Sequence, residues 1–334
     1  MLDDVGPRLC TIAVGFFPDG VREQLEAIPG MRVWSGPSRI GRDDLRRQLG
    51  EVDGILVSPL DRLDAELLAG APQLRVISSV GTGLDHIDLA AATARGILVC
   101  HTPGLNVEAV ADHTWALLLA AARRLPEQEH LLREGRYLEA HQRPVFGRSL
   151  TGATLGLIGV GAIGAAVARR ARGFAMPLLY TSRTRKPDLE TELGLEWVAF
   201  DELLRRSDIV SLHAALTPET RGMIGARALA LMKPQAVLVN TARGPLVDTD
   251  ALVTALERGH LLGAGLDVTD PEPLPMGHPL FALPNVVLTP HTGYASDQTR
   301  AAMTGAAVEN LVEGLAGRCP RFLANPEVWA SDPR

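Results

Sequence analysis

Three residues whose side chains suit proton and anion chemistry follow apolar, strand-like runs. They are Arg243 in "VLVNTARGPLVD", Glu272 in "LDVTDPEPLP" and His291 in "VVLTPHTGY". Each alone has an ordinary explanation: a strand-end arginine pairs with a nearby carboxylate, "PEP" is a common loop, and a histidine after "TP" caps the next segment. Together they form a set with separable roles. A guanidinium holds a carboxylate through a planar fork of donors and polarises the carbonyl beside it. An imidazole gives a proton, and a neighbouring carboxylate orients the ring and favours its charged form. That combination is what reduction of a 2-oxo acid by hydride transfer requires.

A second group of residues suits a dinucleotide. "GVGAIG" follows the apolar run "TLGLI" and opens the helix-like "AIGAAVARRARGF". In that context Gly159 makes a tight turn, Gly161 lets the backbone approach a pyrophosphate at the helix N-terminus, and Gly164 lets helix and strand pack closely. Gly159, Gly161, Ala162, Ile163 and Gly164 are therefore candidate cofactor contacts. An NAD site usually places an acid about 20 residues beyond the glycines, to accept hydrogen bonds from the ribose 2'-hydroxyl. Counting from Gly161 reaches Thr181 and then "SRTRK", with Arg183, Arg185 and Lys186 and no acid before Asp188. Ser182, Arg183, Thr184 and Arg185 are expected to hold the 2'-phosphate of NADP, with NAD as the second possibility. The other reading of the cluster is a solvated basic turn.

These residues need a scaffold that brings strand ends together. The first hundred residues alternate the apolar runs "LCTIAV", "MRVW", "VDGILVS", "LRVISSVG" and "GILVCHTPG" with helix-like segments. After "REGRYLEAHQRPVFGRSLTG", which reads as a loop, the alternation resumes with "ATLGLIG", "PLLYT", "DIVSLH", "QAVLVN", "GAGLDV" and "NVVLT". This rhythm predicts α/β architecture with doubly wound parallel sheets, in which ligands bind outside the carboxyl ends of the strands. Only 4% of the 334 residues are aromatic, so the cores are aliphatic and alanine-packed, as helices on parallel sheets allow. The run "NVEAVADHTWALLLAAARRL" has helical spacing and contains no glycine or proline, which suggests a spine between domains.

The composition also excludes classes. A formal net charge of -6 argues against a nucleic-acid binder. The acidic "MLDDVGPRLC" start has no apolar signal core and no apolar stretch is long enough to span a membrane, so no membrane association is expected. Cys10, Cys100 and Cys319 are odd in number and widely spaced, which fits a reduced cytoplasm. His86, His101, His113, His130, His141, His260 and His278 show no ligand spacing, and no metal is expected.

With "LIGVGAIG", "YTSRTRK", "NTARGPLVD", "AGLDVTDPEPLP", "VVLTPHTG" and "NPEVW" in this order, the chain resembles the D-isomer-specific 2-hydroxyacid dehydrogenases, most of all the glyoxylate and hydroxypyruvate reductases. The resemblance implies a Rossmann cofactor domain at 104–290, inserted into a flavodoxin-like substrate domain made of 1–103 and 291–334, with the active site in the cleft between them. It implies Arg243 as the clamp on carboxylate and carbonyl, Glu272 as partner of the histidine, and His291 as general acid. Thr82 and Gly83 in "SVGTGLDHID" would hold the substrate carboxylate through backbone amides. His213, Thr241, Asp267 and Gly293 would line the cofactor. The product would be a D-2-hydroxy acid and the assembly a homodimer. Neighbouring readings are a dehydrogenase of phosphoglycerate or phosphite type, or a dinucleotide-sensing corepressor-like binding protein. Departures from the family pattern are His101 in "HTPG", Val107, Thr292 and Tyr294, and a loop with Tyr137 but no tryptophan; these bear on substrate choice.

Overall fold

Apolar runs become strands here where helices cover them on both faces. The computed structural model describes residues 11–14, 19–34 and 40–331, so Cys10 lies outside the described residues. The chain divides into one unit of Met1–Asn106 with Ser296–Arg334 and a second of Val107–Ala295. These limits fall at 106/107 and 295/296, a few residues beyond the expected 103/104 and 290/291. His291 is thereby grouped with the second unit rather than with the chain ends, because its turn is tied to a strand of that unit.

The first unit contains β1 (Thr11–Ala13), β2 (Met31–Val33), β3 (Gly54–Val57), β4 (Val76–Ser79) and β5 (Leu98–Cys100). All pair in parallel in the order β2-β1-β3-β4-β5, the flavodoxin-like winding. Every residue of β3, β4 and β5 is buried, as expected of a parallel sheet covered on both faces. Helix Asp297–Leu315 covers one face at close range. A Cβ on Gly54 would stand 2.9 Å from Leu311 and Leu315, and one on Gly314 would stand 3.0 Å from Val76. The Ser78 hydroxyl donates to the Ala307 carbonyl at 2.7 Å in the same contact.

The second unit contains β6 (Leu155–Ile158), β7 (Leu178–Thr181), β8 (Leu195–Trp197), β9 (Ile209–Leu212), β10 (Ala236–Asn240), β11 (Leu261–Leu266) and β12 (Val286–Leu288). The sheet is again all parallel, in the order β12-β11-β10-β9-β6-β7-β8. Read from β8, this is the Rossmann winding extended by one strand, and it reverses direction between β6 and β9. β8 was not anticipated: its three residues, of which only Leu195 is buried, sit at the sheet edge without an apolar run.

The apolar helix, Val107–Ala122, packs into the core of the second unit. It approaches β11 closely because that strand carries glycines: a Cβ on Gly265 would lie 2.9 Å from that of Leu117. Trp115 adds an indole hydrogen bond to the Val167 carbonyl at 3.1 Å. The expected loop before β6 contains a short helix, Tyr137–Gln142, preceded by another at Leu125–Arg133. Among the described residues, no helix is long and apolar enough to cross a membrane, and no cluster of three or more His, Cys, Asp or Glu could hold a metal. Cys100 and Cys319 are unbridged.

Asn325 shows how the C-terminal segment is fastened to the first sheet. Fully buried, it accepts from the Val99 amide at 2.9 Å and donates to the Ile97 carbonyl at 2.9 Å and the Thr93 hydroxyl at 3.0 Å. Asn325→Ala leaves buried backbone groups unpaired and should cost about 2–4 kcal/mol, read as a lower midpoint in urea unfolding. A loss below about 0.5 kcal/mol would mean that this tie is replaceable by water.

Candidate active site

The candidate site is built at the carboxyl ends of β10, β11 and β12. β11 runs into Asp267, which is only 3% exposed. Its Oδ1 accepts from the Thr289 hydroxyl at 2.7 Å and the Thr292 amide at 2.8 Å, and lies 3.2 Å from His113 Nε2; Oδ2 accepts from the Gly293 amide at 2.8 Å. Burial pushes this carboxyl upward, but the donors from His113, Thr289, Thr292 and Gly293 prevail and hold it below the ordinary range. The Asp267 carbonyl also accepts from the His291 amide at 2.8 Å. Three consecutive amides, of 291, 292 and 293, thus converge on one residue.

That convergence sets the His291 backbone. Its φ of 54° is in the left-handed region, which costs a residue with a Cβ free energy that surrounding bonds must offset. The ring meets Glu272: Nδ1 and Oε1 are 2.6 Å apart, and both side chains are about a third exposed. Because the carboxylate accepts, Nδ1 carries the hydrogen, and Nε2 is the nitrogen left to face a substrate.

β10 ends in a similar device. Asn240, 1% exposed, accepts from the Ala242 amide at 3.0 Å and donates to the Arg243 carbonyl at 2.9 Å, folding the chain back so that Arg243 stands at the strand end. Asn240 pairs with Leu266, so Arg243 and Asp267 follow neighbouring strands. The two loops touch at Gly244, where a Cβ would come within 1.9 Å of the Thr269 carbonyl. The structure therefore joins Glu272 to His291 directly and sets Arg243 on the adjoining strand end.

The glycine loop lies where the winding reverses. Gly159 has φ of 89° and abuts the His213–Ala214 peptide, its hypothetical Cβ 2.8 Å from that backbone. Gly164 would place a Cβ 2.6 Å from the Gly159 carbonyl, so the helix beginning at Ala162 packs tightly on the turn. Nothing lies within 4 Å of a Cβ on Gly161, which leaves open space in front of the helix N-terminus. This combination suits a pyrophosphate, with Ala162 and Ile163 opening the helix. Thr241 bonds to Thr114 at 2.8 Å between hydroxyls, and His213 Nε2 meets the Ser211 hydroxyl at 2.9 Å. Asp267, expected on the cofactor, has both carboxylate oxygens engaged by the turn that carries His291.

The basic turn is less uniform than its sequence implies. Arg185 forms a bidentate pair with Glu190 at 2.8 and 2.9 Å, and its pKa is raised by that hydrogen bond and charge. Glu190 also accepts from the Tyr180 hydroxyl at 2.7 Å, which in turn accepts from the Lys186 amide at 2.7 Å. The acid missing from "SRTRK" lies two residues past Asp188, inside helix Pro187–Leu193. Ser182 donates to the Thr184 carbonyl at 2.6 Å. Exposed Arg183 makes none of the described ion pairs, its charge being felt by Glu219.

In the first unit, Thr82 and Gly83 follow β4. The loop is secured by Ser79 Oγ to His86 Nε2 at 3.1 Å and by the Thr102 amide to the Gly81 carbonyl at 2.9 Å. The Thr82 hydroxyl has two acceptors nearby, the Thr102 carbonyl at 3.2 Å and Asn106 Oδ1 at 3.1 Å, so its single hydrogen is engaged within the protein. Sequence reasoning missed His113, Asn240, Tyr180 and Glu190. His113 carries no distinguishing signal within its apolar helical run.

Burial of His213 lowers its pKa from 6.5 to about 4. The folded chain thus keeps this imidazole neutral where the unfolded chain protonates it. Its contribution to stability is complete above pH 6.5 and is lost as the pH falls to about 4. His213→Gln should flatten the fall in unfolding free energy between pH 6.5 and 4; an unchanged slope would assign the acid sensitivity to other groups.

Comparison with known proteins agrees with this architecture. Residues 115–293 match the family described as D-isomer specific 2-hydroxyacid dehydrogenase, NAD binding domain. The chain is 43% identical over 320 residues to a glyoxylate reductase of Thermococcus litoralis, covering 95% of this chain and 96% of that one. A crystal structure of a Thermus thermophilus protein is 46% identical, with TM-score 0.87 over 95% of this chain and all of that one. An NADPH-dependent glyoxylate/hydroxypyruvate reductase of Sinorhizobium meliloti, in complex with NADP and malonate, is 33% identical, with TM-score 0.82 over 95% of this chain and 97% of that one. The fold, the strand-end site and these similarities lead to one conclusion: the chain belongs to the D-isomer-specific 2-hydroxyacid dehydrogenase family and is an NAD(P)-dependent oxidoreductase.

Proposed function

We propose that the protein reduces a small 2-oxo acid of the glyoxylate or hydroxypyruvate class to the D-2-hydroxy acid, with NADPH preferred. The observation that carries this reading is the 2.6 Å contact between Glu272 and His291, which leaves Nε2 of the ring as the proton donor. Glyoxylate reductases at 43–45% identity over most of the chain support the substrate class. In this mechanism Arg243 holds the substrate carboxylate and polarises the keto group. The Thr82 and Gly83 amides take the carboxylate as well. When bound, the reduced nicotinamide supplies the hydride that reaches the keto carbon. His291 then delivers its Nε2 proton to the carbonyl oxygen, while the Glu272 carboxylate holds the ring and balances its charge until the proton leaves.

For the cofactor, open space at Gly161 and the close packing at Gly159 and Gly164 support a pyrophosphate at the helix N-terminus, with His213, Thr241 and Gly293 toward the nicotinamide half. Arg185 is engaged by Glu190, so Arg183 is the main cation for a 2'-phosphate, aided by Ser182 and Thr184. A homodimer belongs to the same reading. It is supported by the exposed apolar side chains Leu125, Leu132, Tyr137, Leu138 and Phe146, which crowd one stretch of the chain.

Initial rates of NADPH and NADH oxidation, measured in parallel with glyoxylate, hydroxypyruvate and larger 2-oxo acids, test the proposal. Turnover should favour NADPH and the smaller acids. Arg183→Ala should raise KM for NADPH about tenfold and leave KM for NADH within about twofold, since only NADPH brings a phosphate to that turn. Equal changes for both cofactors would assign the turn to solvent, and no turnover with any 2-oxo acid would remove the proposed reaction.

A further inference from the structure

His101, which follows β5 in "HTPG", has no role in the reaction outlined above, yet its ring is aimed at the loop that carries Thr82 and Gly83. Nδ1 lies 2.9 Å from the Thr82 carbonyl. A carbonyl only accepts, so Nδ1 must hold a hydrogen and the neutral ring must be the Nδ1–H tautomer. The Thr82 carbonyl belongs to the same planar peptide as the Gly83 amide, and in a trans peptide the two point in opposite directions. A donor fixed on the carbonyl therefore fixes the direction of the Gly83 N–H and increases its polarity. Among the described residues, that N–H donates no hydrogen bond.

The support behind the ring is firm. The His101 carbonyl accepts from Asn310 Nδ2 at 3.1 Å, and its amide donates to the Phe322 carbonyl at 3.1 Å. Asn310, 1% exposed, also accepts from the Phe322 amide at 3.2 Å. With the Thr82 hydroxyl engaged by Thr102 and Asn106, the group this loop has left to offer an anion is its main chain. We propose that His101 is a positioning residue for substrate binding: by holding the Thr82 carbonyl it orients and polarises the Gly83 N–H that receives the carboxylate of the 2-oxo acid. This rests on the proposed role of Thr82 and Gly83.

A residue acting in this way affects the capture of the acid rather than hydride transfer. His101→Ala should raise KM for glyoxylate about tenfold while kcat and KM for NADPH stay within about twofold. His101→Asn, whose amide places a donor near the position of Nδ1, should return KM to within about threefold of the parent. Two measurements on the parent protein need no variant to fold. Long-range proton–nitrogen spectra should show neutral His101 with its hydrogen on Nδ1. With glycine-selective labelling, oxamate added to the holoenzyme should move the Gly83 amide proton downfield, and this shift should shrink in His101→Ala. A hydrogen on Nε2 alone, or an unchanged KM in His101→Ala, would overturn the role of His101 even if Gly83 responds to oxamate. A Gly83 amide indifferent to oxamate in the parent would instead remove the carboxylate reading of the loop, and His101 with it.

Discussion

Much of the candidate site depends on one buried carboxylate. Asp267 is removed from water, which disfavours its charge, and it stays ionised because four donors meet its two oxygens. Two of those donors are the amides of Thr292 and Gly293, and the Asp267 carbonyl takes a third from His291. The turn is thereby wrapped onto the end of β11, and His291 is held at a positive φ that a histidine does not favour. With the backbone in that position the ring meets Glu272 at 2.6 Å. In the structure this charge shapes the turn that carries His291.

The same solution recurs along the sheet edge. Asn240 folds the chain after β10 and presents Arg243; Gly244 has no Cβ and so lets that loop touch the one leading to Glu272. At the reversal between β6 and β9, Gly159 and Gly164 press turn, helix and strand together while Gly161 leaves room. Parallel winding explains the concentration. Each strand ends on the same side of the sheet, so residues distant in sequence, 159, 243, 267 and 291, come to one edge without any loop having to reach far.

The fold was largely legible in the sequence because parallel strands covered on both faces are continuous apolar runs, and eleven of the twelve strands coincide with one. The exception, β8, is half solvated and has no such run. What one-dimensional pattern could not convey is which partner a polar side chain chooses. Arg185 in "SRTRK" reads as a cation awaiting an anion, yet Glu190 is brought to it by one turn of helix and steadied by the buried Tyr180. His113 looked ordinary among apolar helix residues, and it points at Thr289 and Asp267, more than 150 positions away. The place of the apolar helix was likewise hidden, since only the glycines of β11 reveal how closely it can pack.

The central claim is that His291, held by Glu272 and by the turn on Asp267, supplies the proton in 2-oxo acid reduction. The most direct measurement is kcat for glyoxylate reduction by His291→Ala, alongside NADPH binding followed by fluorescence titration. The expected result is a fall in kcat of about 10²–10⁴-fold with the Kd for NADPH nearly unchanged. A kcat close to that of the parent would contradict the claim and place the proton donor elsewhere.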